Sequence, residues 1–198
     1  MDIFDQYNLI AQKNGFEFDW ASDNRKFLSA NDRMLNQKCC FMRKDNLVYF
    51  ASDSFGAKAY LSSTYSGVYT TIPVVGKGFE AKISRHFWID FITGKRVKTG
   101  NSYLDKHLNI KTDDVNQVNQ LVDMRVVDSY LQLWDKYGPV KLVMGMDYLP
   151  VPAEFRNQQV IGIELDEWIL PEKFEATYMD WQGVVIAMKN HVVRNFDQ

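Results

Sequence analysis

The chain of 198 residues is poor in cysteine, with two in all, Cys39 and Cys40, side by side. Neighbouring Cα atoms lie about 3.8 Å apart, short of usual disulfide spacing. Two buried thiols in a strand are therefore expected, not a vicinal bridge. That excludes a disulfide-stapled secreted scaffold, and the missing Cys-x-x-Cys excludes the commonest redox and zinc spacings. No Pro- or Gly-rich linker, low-complexity tract or internal repeat interrupts the sequence. No apolar run approaches the roughly 18–20 residues of a membrane span. The N-terminus, Met-Asp-Ile-Phe-Asp, lacks the basic and apolar regions of a signal peptide. A soluble, cytoplasmic protein is expected. Charge of one sign is also lacking. The net charge of −2 gives no general attraction to nucleic acid or acidic lipid, so nucleic acid is not the expected partner.

Catalytic grammar is equally sparse. There is no Gly-x-Ser-x-Gly. Gly76-Lys77-Gly78 lacks both the further glycine of a dinucleotide fingerprint and the Lys-Ser/Thr ending of a phosphate loop, so it reads as a turn. The three histidines, His86, His107 and His191, form no i, i+4 pair. No cofactor is implied.

Strong periodicity is present. Phe174, Tyr178, Trp181, Val185, Met188 and Val192 recur at spacings of four and three, which puts them on one face of a helix over 171–193. Lys173, Glu175, Asp180, Gln182, Lys189 and Asn190 make the opposite face. Pro171 and Glu172 suit its start, and His191 suits the negative dipole end. This helix is read as a brace across a sheet. Phe79 to Ile92 alternates at period two, Phe79, Ala81, Ile83, Arg85, Phe87, Ile89 and Phe91 against Glu80, Lys82, Ser84, His86, Trp88 and Asp90. That predicts a long antiparallel strand with one buried face. Arg85 breaks the apolar row, which predicts a bulge at Ser84–Arg85, and Thr93-Gly94-Lys95 a following hairpin.

The remaining elements follow local signals. Asp2 and Gly15 bracket a helix over 2–13. A short strand follows Phe16. Lys44-Asp45-Asn46 turns a hairpin between 39–43 and 47–50. Strands are expected over 57–62, over 68–75 with Pro73 marking an edge or bulge, and over 140–144 and 160–165, the last two joined by a turn or short edge strand at 148–152. A helix capped by Thr112 carries Val115, Val118, Leu121 and Val122. A second over 123–137 stops at Gly138-Pro139. Clustered strands with a helix pair and a closing helix predict an α+β fold, a mainly antiparallel sheet braced by a long C-terminal helix and a central helix pair. One domain spans 1–198, with Gly100-Asn101 the best internal boundary between a strand-rich 1–100 and a helix-rich 101–198.

The stretch from Thr99 through Tyr103, Leu104, Asp105, His107, Leu108 and Ile110 to Asp114, followed by a paired helix and a short strand, resembles uncharacterised bacterial α+β families. Those families often carry an aromatic where this chain has Leu104 and Leu108. The resemblance implies a bacterial α+β module and no activity, since none is established for them.

Candidate sites are few. Trp88 among Lys82, His86 and Asp90 on the outward face of the long strand marks a ligand-binding surface; cover by a helix or loop is the simpler account. Lys95, Arg96 and Lys98 extend that patch. Asp105 and His107 would share one face of a strand and with Asp113 or Asp114 compose an oxygen-and-imidazole metal site, although capping already explains the two later aspartates. Glu164, Asp166 and Glu167 are a candidate acid–base group. Residues 77–106 hold seven basic and three acidic residues, locally +4, and residues 147–180 two basic and eight acidic, locally −6. They are read as solvated faces or as segments that attract each other. The reading is a non-enzymatic binding or assembly module, a homo-oligomer or a protein's partner through a sheet edge or the last helix. The alternative is a small-molecule-binding protein or hydrolase-type enzyme, with its site on the sheet face or at the Asp105–Asp114 turn.

Overall fold

The computed structural model describes residues 2–22, 34–56, 63–73, 78–86, 97–146, 155 and 157–196. Helix α1 (Ile3–Asn14) opens the chain. Asp2 caps it, and the Asp2 N–H donates to the Asp5 carboxylate at 3.2 Å. Gly15, at φ 70, closes it in the left-handed region that a residue without Cβ enters freely. Strands β1 (Glu17–Ser22), β2 (Met34–Lys44), β3 (Leu47–Gly56), β4 (Ser63–Ile72) and β5 (Ala81–Arg85) follow. Then come α2 (Ser102–His107), β6 (Leu108–Thr112), α3 (Val115–Leu121), α4 (Met124–Tyr137), β7 (Lys141–Met146), β8 (Gln159–Leu165) and α5 (Pro171–Phe196).

The fold is α+β. The eight strands among the described residues join one sheet in the order β1-β2-β3-β4-β8-β7-β5-β6, and every neighbouring pair is antiparallel. Strands β8 and β7, from beyond residue 100, stand between β4 and β5, from before it. Strands of the two halves therefore interleave.

One register row crosses the whole sheet on its helix side: Ile110, Ile83, Leu142, Ile163, Val68, Tyr49, Met42 and Phe18. All are apolar, and all except the half-buried Phe18 are buried. The next row, on the other face, reads Lys111, Lys82, Val143, Gly162, Tyr69, Val48, Arg43 and Glu17. It is charged at both ends and apolar in the middle. That middle belongs to a second buried cluster with Cys39, Phe41, Phe50, Tyr65, Phe155 and Val160. The central strands are thus buried on both faces, while β5 keeps Lys82 exposed and has the one buried face its alternation predicts.

Helix α5 braces the helix side, lying along β4 and β8, with α3 and α4 packed on it and α1 near its start. Phe174, Tyr178, Trp181, Val185 and Met188 are buried as their spacing predicts, together with Thr177 and Val184. The side chain of Val192 lies outside the description. Burying each large side chain contributes roughly 1.5–3 kcal/mol.

Several local expectations give way to tertiary constraints. Asp114 caps α3 by accepting from the Gln117 N–H at 3.1 Å. Thr112, the expected cap, donates to the Glu80 carbonyl at 2.8 Å and holds β6 to the start of β5. Pro73 stands just past the end of β4, which is central and paired with both β3 and β8. It limits the strand's length and marks no edge. Residues Ser84 and Arg85 pair in unbroken register with Asn109 and Leu108, so there is no bulge. Arg85 stays on the helix side and forms an ion pair with Asp135 of α4, which accounts for a charge in an apolar row. A register shift occurs instead in β2, between Leu35 and Lys38. Of the strand expected over 79–92, β5 covers only Ala81–Arg85, with Phe79, Glu80 and His86 outside it. The strand expected over 57–62, the hairpin at Thr93-Gly94-Lys95, the turn at 148–152 and the expected strand residues 87–92 lie outside the described residues.

Candidate functional site

The predicted ligand surface is described in part. Lys82 stands directly opposite Lys111, and both are exposed. Neither makes an ion pair among the described residues. They border a shallow hollow of about 470 Å³ with Glu80, Thr112, Asp113 and Met144. Like charges directly opposed on a sheet destabilise it, so this pair is either a small defect or a place for an anion. His86 is half-buried, and its backbone N–H donates to the His107 carbonyl at 2.9 Å. Trp88, Asp90, Lys95 and Arg96 lie outside the described residues, and Lys98 is exposed.

The three predicted metal ligands are not brought together. Asp105 and His107 sit on α2, where a two-residue step turns about 200°, and do not share the face that a strand would give them. Asp105 accepts from the Thr99 N–H at 2.8 Å and the Thr99 hydroxyl at 2.9 Å, a clasp that closes the turn before α2. The His107 ring lies 4.8 Å from that of Tyr103. Asp113 is at the far end of β6, roughly 20 Å along the strand, where it accepts from the Glu80 N–H at 2.9 Å. Among the described residues no group of three His, Cys, Asp or Glu side chains is placed to hold a metal.

The acid–base candidates also part. Glu164 is buried on the second sheet face, where it accepts from the Tyr69 hydroxyl at 3.2 Å. Asp166 is exposed and pairs with Lys141, and the Glu167 carbonyl accepts from the Ser66 hydroxyl at 2.6 Å. The acidic segment does not pair with the basic one among the described contacts. Its Asp166, Glu175 and Asp180 meet Lys141, Lys13 and Lys136, all outside 77–106. His191 lies within α5, 3.7 Å from the Asp123 carboxylate at the start of α4, and not at the helix end.

Polar groups buried beneath α5 form a lock. The Tyr7 hydroxyl donates to the Ile169 carbonyl. With that proton committed, the Tyr49 hydroxyl, 3.2 Å away, is the donor to Tyr7. Burial, then the neighbouring Cys40, pushes the Tyr7 hydroxyl far above its ordinary range. Burial does the same to Tyr49 and to the Cys40 thiol. Groups held protonated in this way tie α1, β3 and the approach to α5 together, and they are poor nucleophiles or bases near neutral pH.

Two surfaces on α5 remain. A cleft of about 310 Å³ opens between the end of α1, the β2–β3 turn and the first half of α5. Phe16, Phe174 and Tyr178 form its floor, with Phe16 edge-on to Tyr178 at 5.0 Å. Burial, then Asp45, pushes the Tyr178 hydroxyl up to about 12. The Lys44 ammonium lies 5.5 Å from the Phe16 ring centre and donates to the Asn14 carbonyl at 2.8 Å, so the protein's own cation covers this floor. Met179 forms the outer lip and is 60% exposed.

From Met179 the second surface runs along the helix. At 100° per residue, Glu172, Ala176, Met179, Gly183, Ile186, Ala187, Asn190 and Arg194 fall on the line directly opposite the buried face, and all are exposed. Between its charged ends and Asn190 this line is apolar or small, with Ile186 39% exposed. Sequence reading assigned the outer face to its charges and passed over this stripe. The same four-and-three spacing that found the buried face would have found it. No helix is long and apolar enough to cross a membrane among the described residues. Compared with family models, with curated proteins and with solved structures, the chain matches none.

Proposed function

We propose that this protein is a non-enzymatic binding and assembly module that docks through the outer face of α5, its occupant another protein surface. The exposure of Met179 and Ile186 two turns apart on one line carries this reading. An amphipathic helix already braced by its own sheet has no folding need for large apolar residues on its solvent side. A bacterial, cytoplasmic setting is part of the reading; the bacterial part rests on the sequence resemblance, and two adjacent cysteines offer no disulfide framework that would call for an oxidising compartment. A photoreactive residue placed at Met179 in cells is expected to capture a protein, and the same residue at exposed Leu9 on α1 is not. Equal yields at the two positions would overturn the reading.

The second reading is a small-anion site at the Lys82–Lys111 hollow. Two opposed lysines without an ion pair among the described residues favour it. A polyphosphate present at about 100 times its dissociation constant adds nearly 3 kcal/mol of stability. An unchanged melting temperature across a panel of anions would remove this reading.

A further inference from the structure

We infer that the occupant of the α5 outer face is a second copy of this chain, packed antiparallel with Gly183 on the two-fold axis. The inference rests on the docking reading above and names its partner.

The charge pattern points to this arrangement. The exposed line begins with Glu172 and ends with Arg194, each eleven positions from Gly183. A two-fold axis at Gly183 reverses one helix on the other, so Glu172 of each copy faces Arg194 of its mate. An isologous contact must be self-complementary in this way. A parallel pairing instead sets Glu172 against Glu172 and Arg194 against Arg194.

Shape agrees with charge. Gly183 has open space where a side chain would stand, so its own position sets no side chain between two helices that cross there. Met179 and Ala187, each four residues from the axis, meet across it, a long apolar side chain over a small one. Packed helices lie about 8–10 Å apart with Cα atoms about 2.3 Å from each axis. Facing Cα atoms at Gly183 are then about 5 Å apart at the wider end of that range. That distance suits a disulfide.

The register is tested with the full chain, purified and oxidised. Gly183→Cys is expected to give a disulfide-linked dimer. Ala176→Cys is expected not to, because antiparallel copies hold residue 176 roughly 20 Å from its mate along the axis. The native Cys39 and Cys40 are fully buried and do not interfere. Light scattering on the unmodified chain is expected to show mass rising from monomer to dimer with concentration. Glu172→Arg and Arg194→Glu are each expected to weaken dimerisation about tenfold, since each places like charges together twice. The double variant is expected to restore it. Both single substitutions also oppose the helix dipole, so an effect on folding alone adds in the double variant, whereas an interface effect cancels. A monomer at every concentration overturns the inference, as does Ala176→Cys linking as readily as Gly183→Cys. If the photoreactive residue at Met179 captures a different protein while the purified chain stays monomeric, the docking reading stands and the self-pairing falls. If Met179 captures nothing beyond the control, both fall.

Discussion

Tyr69 of β4 and Gly162 of β8 are register partners, and the Tyr69 ring occupies the space where a side chain at position 162 would stand. A Cβ there would overlap the ring and lie 2.7 Å from the Val68 carbonyl oxygen. Gly67 clears the other end of the same ring, and a Cβ on it would lie 2.7 Å from the Ile163 carbonyl oxygen. The ring therefore lies along the sheet, and its hydroxyl reaches the buried Glu164. Gly162→Ala is expected to lower the unfolding free energy by roughly 1–3 kcal/mol, the usual range for overpacking. In a Tyr69→Leu background the same change is expected to cost less, because the obstructing ring is gone. Urea unfolding of the four-member cycle measures the coupling, and additive effects would contradict this account.

Tyr7→Phe removes the proton that satisfies the Ile169 carbonyl and the oxygen that accepts from Tyr49. Leaving buried polar groups without partners is expected to cost about 1–3 kcal/mol. The same region predicts thiol behaviour. With Cys39 and Cys40 fully buried and the Cys40 thiol pushed up by burial, a thiol reagent at mildly alkaline pH is expected to label neither in the folded protein. It is expected to label both in urea. Rapid labelling of Cys40 without denaturant would show that the lock opens.

Acid is expected to loosen the contacts between α5 and its neighbours. Hydrogen bonds from Lys136 and then Tyr137 hold Asp180 below the usual carboxylate range, and Lys13 and then Asn14 do the same for Glu175. A carboxyl whose folded pKa is depressed contributes stability that is present above its unfolded pKa, near about 4. That stability is lost as pH falls through the folded value. Lys136 runs the other way. Asp180 raises its pKa, so its contribution is present below the ordinary lysine value and lost as pH rises through the raised one. Asp180→Asn is expected to flatten both limbs of the urea midpoint against pH. These pairs are exposed, so the effect is small, and a variant profile parallel to the parent at both ends would show that they contribute nothing.

Lys111→Glu places an opposite charge against Lys82 in the β5–β6 pair. It is expected to raise the unfolding free energy by about 0.5 kcal/mol, within the range for cross-strand charge pairs. The same variant is expected to abolish any stabilisation by polyphosphate. If stabilisation persists, the anion binds elsewhere.

Much of the local structure was legible because its causes are local. Asp2 and Gly15 bracket α1, and Asp123 and Gly138 bracket α4, because caps act within one turn. The β2–β3 hairpin follows from a two-residue loop, Asp45-Asn46, with Asp45 at φ 54. Helix α2 escaped notice. It is six residues long and depends on Asn101, whose side chain accepts from the Tyr103 N–H at 3.0 Å, and so short a helix carries little periodicity. The candidate sites were less legible. Asp105 and Asp113 are explained by turns and strand ends, a use that residue type alone does not separate from metal binding.

The sequence by itself determined which residues face inward. The row from Ile110 to Phe18 is apolar at every strand it crosses, and the buried face of α5 is set by its three-and-four spacing, since both periods belong to the backbone. Only the tertiary structure decided that β8 and β7 stand between β4 and β5, that Arg85 reaches Asp135, and that Tyr69 lies over Gly67 and Gly162. Apart from Tyr69 and Gly67, which are close in the chain, these are pairings between residues from fifty to nearly a hundred positions apart. Hydrophobic periodicity orients a strand's faces without choosing its neighbours, and that choice falls to the packing that leaves fewest voids and fewest unpaired groups.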